Sequence, residues 1–491
     1  MSWDVAIIGG GVVGTAIARE LAGYQLSCVL LEAADDVGTG TSKANTAILH
    51  TGFDATPGTL ESRLVARGGA LLRDYAEHAG IAVERTGALL VAWTREQADS
   101  LDAIAEKSRA NGYSRTRSVS AAEIYEREPN LGPGAVGGLW IPDEWVIDPW
   151  SVSLAFAVEA MRAGVAVRLG TRVTGVSVLD GGDGFELAVA PGAEPVRCRF
   201  AVNAAGLASD HVDRMFGGDG FTIRPRKGEL IVFDKLARPL LSSIILPVPT
   251  ARTKGVLVAP TVFGNVLLGP TAEDVADRSD TATSASGLSA LLADGQRILP
   301  SLEQEEVTAT YAGLRAATEH ADYQVGAYGR YVRVAGIRST GLTASLGLAE
   351  HVAGLLGEAG LVLKPRAAGQ RTVPRMPYLG EAGRRPYQEA ARIAADPAYG
   401  DIACHCERVT RGEIRDALVG DLPPAGLDGL RRRTRAMNGR CQAFYCGAAV
   451  SALFQETASR GAGGAGEAVP PDRGRPPGKG GPPGKGGQRG R

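Results

Sequence analysis

The sequence has no excess of charge of either sign and no long hydrophobic run. Its 53 basic residues nearly cancel its 54 acidic ones, which leaves a net charge of -1 over 491 residues. A nucleic-acid-binding domain normally carries a basic excess, so this balance argues against that class of protein. No segment approaches the roughly 18 uncharged apolar residues that a membrane span needs.

The N-terminus also lacks the features of a secretory signal. It carries Asp4, and it has neither a basic leader nor a small-residue cleavage site. We therefore expect a cytoplasmic protein without a transmembrane segment, which would meet a membrane only through a partner.

Glycine, in contrast, is abundant, with 66 residues. Part of the excess lies in residues 459–491, which hold 12 glycines and 6 prolines and repeat PPGKGG in tandem. This segment has no aromatic residue and cannot bury enough surface to offset its ordering entropy, so we predict a disordered tail. Its charge of +5 would suit a weak anionic partner, although a solvated tail is the simpler interpretation.

A glycine turn opens the chain. Gly9-x-Gly11-x-x-Gly14 follows the apolar run Asp4–Ile8, precedes a segment with helical spacing, and has Glu32 at the end of the next apolar run. Glycines let the backbone approach a pyrophosphate, the helix N-terminus supplies unpaired N–H groups, and the acidic side chain accepts from ribose hydroxyls. The pattern predicts a dinucleotide site in a parallel α/β sheet; the alternative is a glycine turn without a ligand.

Three further segments separate FAD from NAD. Thr41–Gly52, Asn203–Gly206 and Gly336–Ser345 resemble flavin-contacting segments of the glycerol-3-phosphate dehydrogenase/D-amino-acid oxidase superfamily, although Thr340 stands where many relatives have proline. A glycine-bearing loop before a helix also points a positive dipole end at the negative charge of a reduced flavin. The resemblance, with the glycine turn, implies an FAD site formed by Gly9, Gly11, Gly14, Glu32, Thr41, Ser42, Asn45, Val173, Ala205, Gly206, Gly336, Gly341, Leu342 and Thr343.

Four of the six cysteines form two close pairs. They are Cys404-x-Cys406 and, 34 residues later, Cys441-x4-Cys446, whereas Cys28 and Cys198 lie in apolar runs and are interpreted as inert thiols. Four thiolates make a soft-metal cage; zinc prefers C-x2–4-C pairs, and iron–sulfur clusters tolerate more varied spacing. Disulfides are disfavoured in a cytoplasmic protein.

The segment around these cysteines resembles the [2Fe-2S]-binding domain related to bacterioferritin-associated ferredoxin. The matching text is Cys404-His405-Cys406-Glu407-Arg408-Val409-Thr410, then Arg431-Arg432-Arg433-Thr434-Arg435, then Cys441-Gln442-x-x-x-Cys446. Such a domain ends the large subunits of anaerobic glycerol-3-phosphate dehydrogenases, so the resemblance implies a [2Fe-2S] cluster, with zinc or a metal-free module as alternatives. Relatives usually have glycine at the positions of Met437 and Ala443, which puts the stability of the cluster in question.

The fold class expected from these observations is α/β. A Rossmann-like FAD-binding domain would be interrupted by an antiparallel α+β substrate domain and followed by a small helical cluster domain and the tail. The expected divisions are an oxidoreductase over 1–370 (FAD-binding parts about 1–85, 145–215 and 310–365; substrate domain about 86–144 and 216–309), a linker over 371–400, a cluster domain over 401–458, and the tail.

Four side chains are candidates for contact with substrate. His50 is the candidate catalytic base, although it could instead orient the flavin or bond to it covalently. Arg315 matches the superfamily's substrate-anion arginine, for which a surface arginine is the alternative. Lys227 and Lys254 resemble substrate-domain lysines of relatives and would meet a phosphate or carboxylate, unless they are ordinary solvated lysines.

The resemblance implies oxidation of a small anionic alcohol. Glycerol 3-phosphate would become dihydroxyacetone phosphate, and electrons would pass from flavin through the cluster to an electron-accepting protein or a quinone-linked partner subunit. L-2-hydroxyglutarate, another 2-hydroxy acid or an amino acid is the main alternative substrate. A second alternative is a non-catalytic electron-transfer subunit.

Overall fold

The structure is a computed structural model that describes residues 2–463 except 191, 193, 250–254 and 368. Lys254 and residues 464–491 of the expected tail lie outside the described residues. The last described helix runs to Gly463, so it extends into the first residues assigned to the tail.

Strands and α-helices alternate along the first part of the chain, and the last part of the chain is mostly helical. The strands are β1 Ser2–Ile8, β2 Cys28–Leu31, β3 Ile48–Leu49, β4 Val83–Glu84, β5 Ala88–Ala92, β6 Arg117–Val119, β7 Gly137–Ile141, β8 Trp145–Ile147, β9 Ala166–Arg168, β10 Val173–Val178, β11 Phe185–Val189, β12 Val196–Asn203, β13 Arg224–Phe233, β14 Ile244–Pro247, β15 Leu257–Pro260, β16 Val266–Gly269, β17 Glu273–Asp274, β18 Val307–Ala317, β19 Gln324–Tyr328, β20 Tyr331–Ala335, β21 Ile402–Cys404 and β22 Val409–Thr410. The α-helices are α1 Val12–Leu21, α2 Leu60–Ala79, α3 Arg95–Asp99, α4 Leu101–Ala110, α5 Ala121–Arg127, α6 Pro149–Arg162, α7 Ser209–Met215, α8 Ala285–Ile298, α9 Gly341–Glu358, α10 Ala390–Ala395, α11 Arg411–Val419, α12 Leu427–Thr434 and α13 Gly447–Gly463.

The first sheet is the nucleotide-binding sheet. Its order is β10-β11-β12-β1-β2-β9, and β20 joins β12 and pairs with β19. The pairs β1–β2, β1–β12, β2–β9 and β12–β20 are parallel, and the ribbon of β10 and β11 is antiparallel. Apolar residues of α1, α2, α6 and α9 pack with its central strands in one core. The predicted Rossmann-like arrangement is confirmed.

The second sheet is the predicted antiparallel substrate sheet. Its order is β17-β13-β16-β15-β14-β5-β7-β6, and the long β18 pairs with β13. Every pair is antiparallel except β5 with β14. Since β13 and β18 run side by side over about ten residues, they bring residues 224–233 and 307–317 into one continuous surface.

The C-terminal module is a separate small core. Helices α11, α12 and α13 and the β21–β22 ribbon bury Val409, Ile414, Leu430 and Val450 together with Cys404 and Cys446. The segment predicted as a linker is packed: Met376 and Leu379 lie in cores of the main body. In the part of the chain that the structure describes, no helix has both the length and the hydropathy needed to cross a bilayer.

Candidate active site and cluster site

The glycine turn between β1 and α1 packs too closely for side chains. Gly9 has a φ of 108°, and a Cβ at Gly14 would stand 1.8 Å from the Gly9 carbonyl oxygen. Helix α1 begins without a side-chain cap and without an acidic residue in its first turn. Its first N–H groups therefore favour an anion, and the only side chain that meets them in the described residues is that of Ser42, whose Oγ accepts from the Val12 N–H at 2.9 Å. These features fit a dinucleotide pyrophosphate.

Glu32 lies beside this turn at the end of β2. Its carboxylate accepts from the backbone N–H of Gly10 at 2.5 Å and of Ala34 at 2.8 Å. These bonds fix the side chain at the edge of the sheet where a ribose would lie next to the pyrophosphate.

The neighbouring predicted contacts are mainly backbone positions. Ala205 and Gly206 follow β12, and the carbonyl of Ala204 touches the glycine turn, 2.5 Å from where a Cβ of Gly9 would stand. Val173 is buried in the apolar cluster below β1 and β2, so its side chain packs in the core and is not among those that line the cavity described next.

One cavity brings six of the predicted residues together. It lies between the segment after Gly40, the β13–β18 surface and the start of α9, with Val12 at one end. Its lining residues are Val12, Thr41, Ser42, Ala44, Asn45, Thr46, Gly228, Leu230, Gly313, Arg315, Arg338, Ser339, Gly341 and Leu342. This space is shared by four parts of the chain: the start of α1 after the glycine turn, the segment Thr41–Gly52 (the flavin segment), the loop Gly336–Ser345 (the C-terminal glycine loop) and the second sheet.

The C-terminal glycine loop is held by hydroxyl groups. Gly336 has a φ of 68°, and α9 starts at Gly341 without a side-chain cap. The Thr340 hydroxyl bonds to Tyr323 at 2.5 Å and donates to Glu61 at 2.9 Å. These bonds hold the loop at position 340, where many relatives have proline instead of threonine. Thr343 accepts from the His50 N–H at 3.0 Å and so ties this helix to the segment after β3.

Arg315 is a partly buried guanidinium without an acidic partner among the described residues. Its Nη atoms lie 3.3–3.4 Å from the Thr271 carbonyl oxygen, and burial, with a smaller contribution from Arg226, lowers the pKa of the group. Arg226 is paired with Asp274 instead. A partly desolvated charge is costly unless it is paired, so an anion bound in this cavity would stabilise Arg315.

His50 forms a dyad that the sequence analysis missed. Its Nδ1 lies 2.8 Å from Oε2 of Glu144, a fully buried carboxylate that also accepts from the N–H and hydroxyl of Thr51. Since a carboxylate accepts, Nδ1 carries the proton, and Nε2 has no hydrogen-bond partner among the described residues. Glu144 lies 94 positions from His50, and no motif connected the two.

The structure does not bring Lys227 to this cavity. On β13, Gly228 and Leu230 line the cavity, and the alternation of side chains along a strand directs Lys227 to the opposite face. There its Nζ pairs with Asp280 at 2.8 Å and donates to the Ala282 carbonyl oxygen. Its assignment as a substrate ligand is therefore corrected to a structural ion pair on the far face of the sheet.

The four predicted cluster cysteines meet as two pairs. Cys406 lies beside Cys441, and Cys404 lies beside Cys446. Over the described ranges, no three His, Cys, Asp or Glu side chains converge as a single ion requires. Two pairs of thiols suit a two-iron cluster with four cysteine ligands better than one zinc ion.

Backbone N–H groups surround the thiols. The N–H groups of Ala443, Phe444 and Tyr445 lie near the Cys441 sulfur, and that of Met437 lies near the Cys446 sulfur. N–H groups close to cysteine sulfurs stabilise thiolates and tune the potential of an iron–sulfur cluster. The surroundings of the thiols therefore fit the cluster that the resemblance implies.

A buried charge cluster docks the module onto the nucleotide-binding domain. Asp36, 3% exposed, accepts from both Nη atoms of Arg433 at 2.6 and 2.7 Å and from Arg432 at 3.0 Å. On the other side of the module, Arg440 pairs with Asp234 at 2.6 Å. These contacts were invisible in the sequence because their partners are some 200 to 400 positions apart.

A second cleft, of about 620 Å³, lies where the module meets the main body. Gln442, the neighbour of Cys441, lines it together with Thr41 and residues 43–47 of the predicted flavin segment and with Tyr311 of β18. Arg435 also lines it, lying over the Phe263 ring and bonding to Glu407 next to Cys406. The predicted flavin segment and the neighbour of one cluster cysteine therefore line one shared space.

Two family models match the chain, one over each of its two parts. The model described as FAD dependent oxidoreductase matches residues 4–355, and the model described as BFD-like [2Fe-2S] binding domain matches residues 402–456. The first match covers both sheets, and the second covers the four cysteines.

Three known proteins place the chain more narrowly. It is 33% identical over 451 residues to glycerol 3-phosphate dehydrogenase of Caloramator mitchellensis, covering 90% of this chain and 92% of the relative. It is 30% identical over 284 residues to mitochondrial L-2-hydroxyglutarate dehydrogenase of Homo sapiens, covering 55% of this chain and 61% of that one. The FAD-bound L-alpha-glycerophosphate oxidase of Mycoplasma pneumoniae, reduced with dithionite, superimposes with a TM-score of 0.72 at 27% identity, over 77% of this chain and 99% of its own.

Proposed function

Since the chain belongs to the FAD-dependent oxidoreductase family and carries a BFD-like [2Fe-2S] domain, we propose that it oxidises glycerol 3-phosphate to dihydroxyacetone phosphate and sends the electrons through the cluster to a partner. FAD and the [2Fe-2S] cluster are its cofactors. The substrate, the residue roles and the electron route are the parts proposed here.

The observation that carries the proposal is Arg315 in its cavity. A partly buried guanidinium without a carboxylate partner among the described residues, beside the flavin segment and the start of α9, suits the phosphate of a small alcohol. The planar fork binds two phosphate oxygens at once and stays charged at any physiological pH. The anion then fixes the distance between the carbinol carbon and the flavin segment.

His50 is proposed as the base that takes the hydroxyl proton. Glu144 holds Nδ1–H, so the free Nε2 is the acceptor, and the buried carboxylate stabilises the imidazolium that forms. FAD, when bound, supplies the acceptor for the hydride from the carbinol carbon. The uncapped start of α9 points its N–H groups toward the side where negative charge would accumulate.

The shared cleft supports the proposed electron route. Gln442 of the cluster loop and the flavin segment line the same space, which supports a short path between the two cofactors inside a single chain. The buried contacts of Asp36 with Arg432 and Arg433 hold this arrangement.

L-2-hydroxyglutarate is the second candidate substrate. A single arginine anchor suits a carboxylate as well as a phosphate. One similar protein, described above, is the human mitochondrial L-2-hydroxyglutarate dehydrogenase. Anaerobic bleaching of the bound flavin by glycerol 3-phosphate, L-2-hydroxyglutarate, L-lactate and amino acids separates these candidates. A chain whose flavin is bleached by none of them would be an electron-transfer subunit.

Arg315→Ala tests the anchor. Losing a charge-assisted pair in a buried site costs about 2–5 kcal/mol, so kcat/KM on the bleaching substrate should fall by roughly thirty- to several-thousand-fold. Arg315→Lys should recover only part of this loss, because an ammonium group lacks the fork. Arg197→Ala, which removes a surface pair with Glu186, is the control for loss of charge. Near-normal kcat/KM in Arg315→Ala with intact flavin content would refute the anchor.

A further inference from the structure

Two aromatic side chains stand out on the surface of the module. Phe444 is 83% exposed and Tyr445 is 79% exposed, which are the highest values among the large hydrophobic residues that the structure describes. Their rings touch edge to face with centroids 5.1 Å apart. Large exposed apolar groups do not help a domain to fold, and when they cluster they mark a contact site.

The aromatic pair lies directly on the cluster site. Both residues belong to the four-residue spacer between Cys441 and Cys446, and the backbone N–H of Phe444 donates to the Cys441 carbonyl oxygen at 2.9 Å. Cys404 and Cys446 are buried, whereas Cys406 and Cys441 are partly exposed. The side of the thiol site that reaches the surface is therefore the side that carries the two rings.

The chain segment that carries the pair is uncharged. Residues 441–455 contain no Asp, Glu, Lys or Arg. Arg440, which precedes Cys441, is paired with Asp234 at 2.6 Å, so its charge is neutralised. Such a surface has little field to attract a strongly charged partner.

We propose that Phe444 and Tyr445 form the electron-exit surface, which docks a one-electron redox protein whose cofactor edge lies under an uncharged apolar patch. The inference deepens the proposed function and rests on its electron route. Since this surface carries no net charge, we expect the contact surface of the partner to carry none either. A charged group on the partner would lose its water on docking without gaining a counter-charge. Two aromatic anchors in a small contact are typical of transient redox complexes, which bury little area.

The C-terminal residues 464–491 are not expected to be what binds to this surface. Residues 464–491 contain no aromatic residue and no leucine, isoleucine or methionine, so their composition offers no apolar counterpart. The partner is therefore a different molecule.

The electron count sets what the partner must do. Oxidation of one alcohol breaks one C–H and one O–H bond, forms one C=O bond and releases two electrons and two protons. Since the partner takes one electron at a time, two partner molecules are each reduced once per substrate, and both protons go to solvent.

The test uses the full-length protein loaded with both cofactors and reduced with dithionite. Azurin, a blue-copper protein with an uncharged apolar surface over its copper edge, is the probe. Ferricyanide, which needs no docking surface, is the reference acceptor. The double variant Phe444→Ser/Tyr445→Ser should lower the second-order rate constant with azurin by about tenfold, whereas the rate with ferricyanide stays unchanged. Val419→Ser, at a 65% exposed position of the same module, is the matched control and should change neither rate.

Cross-linking gives a readout that does not depend on turnover. A photoreactive benzoylphenylalanine in place of Phe444 should capture azurin from the oxidised protein, and the same group in place of Val419 should not. Iron and sulfide content of the serine variant should equal that of the parent chain, because the substitutions change neither the four cysteines nor the backbone of the loop and remove only exposed rings.

Four results would overturn the proposal. They are an unchanged azurin rate in the double variant, an azurin rate that falls steeply with salt, loss of self-association in the variant, and loss of binding to phosphatidylcholine vesicles in the variant. The last two would assign the surface to a second copy or a membrane. Because dithionite replaces the substrate, these results stand apart from the proposed alcohol oxidation, which flavin bleaching tests separately.

Discussion

The flavin side and the cluster module differ in how they accommodate left-handed backbone. On the flavin side, glycines such as Gly9 and Gly336 occupy most positions with positive φ. In the module, none of the described glycines has positive φ, and five other residues adopt it, at φ values of 47–72°: Arg408, Arg435, Met437, Gln442 and Ala443. The same backbone requirement is met mostly by glycine on the flavin side, with Ala47 and Arg338 as exceptions, and by residues other than glycine in the module.

This difference implies different sources of stability. A non-glycine residue in the left-handed region costs about 1 kcal/mol or more, so the module carries several kcal/mol of local strain. That strain persists only where surrounding contacts over-determine the backbone, here through the metal-binding thiols, their N–H donors and the docking arginines. The glycine turn of the flavin site needs no ligand to hold its shape.

The largest difference between the two regions is expected for Gly11→Val, which should impair FAD binding and leave the cluster module unaffected. Gly11 has an ordinary φ of -69°, so Gly11→Val leaves the backbone unstrained, but its methyl groups would block the N–H groups at the start of α1. Affinity for FAD should fall at least about a hundredfold, since close approach of the pyrophosphate is lost. Flavin absorbance, iron and sulfide per chain should then show a flavin-free protein with a normal cluster.

Gly354→Val is the control for this substitution, because a Cβ at Gly354 meets nothing within 4 Å. A Gly11→Val protein that retains full flavin content would mean that the pyrophosphate does not lie on this turn.

Sequence patterns predicted the parts of this molecule that are continuous along the chain. The glycine turn with Glu32, the two cysteine pairs and the strand–helix alternation each fall within a few dozen residues, so their spacing carries the geometry. Glu144 was missed because only folding brings it to His50. Lys227 was misplaced because one step along a strand reverses the face, and the motif gave no register.

The docking of the module depends on contacts that no pattern in the sequence shows. Asp36→Asn should remove most of the bidentate pair with Arg433 and leave that buried guanidinium poorly paired, whereas Arg432 keeps its pair with Asp428. Breaking a buried pair from one side costs about 3 kcal/mol, so the module should separate from the main body without losing its cysteines. Earlier unfolding of the module in calorimetry, and slower cluster reduction with unchanged flavin reduction, would report this.

Asp421→Asn is the matched control for Asp36→Asn. Asp421 pairs with Arg162 across the same two domains, but both side chains are 40–46% exposed, and such pairs contribute about 1 kcal/mol or less. Equal effects of the two substitutions would show that burial of the Asp36 pair does not hold the module in place.

The smallest effect concerns the two positions where relatives carry glycine. Ala443 has a φ of 70° and a side chain that buries little, so Ala443→Gly should relieve strain and stabilise the module by about 0.5–1 kcal/mol. Met437 has a φ of 67°, but its side chain is 5% exposed in the module core, so Met437→Gly exchanges strain relief of about 1 kcal/mol for the loss of about 2 kcal/mol of apolar burial. Denaturant unfolding of the cluster-loaded chain should therefore show opposite signs for the two variants. If Met437→Gly also stabilised the module, packing would not be what compensates the strain at that position.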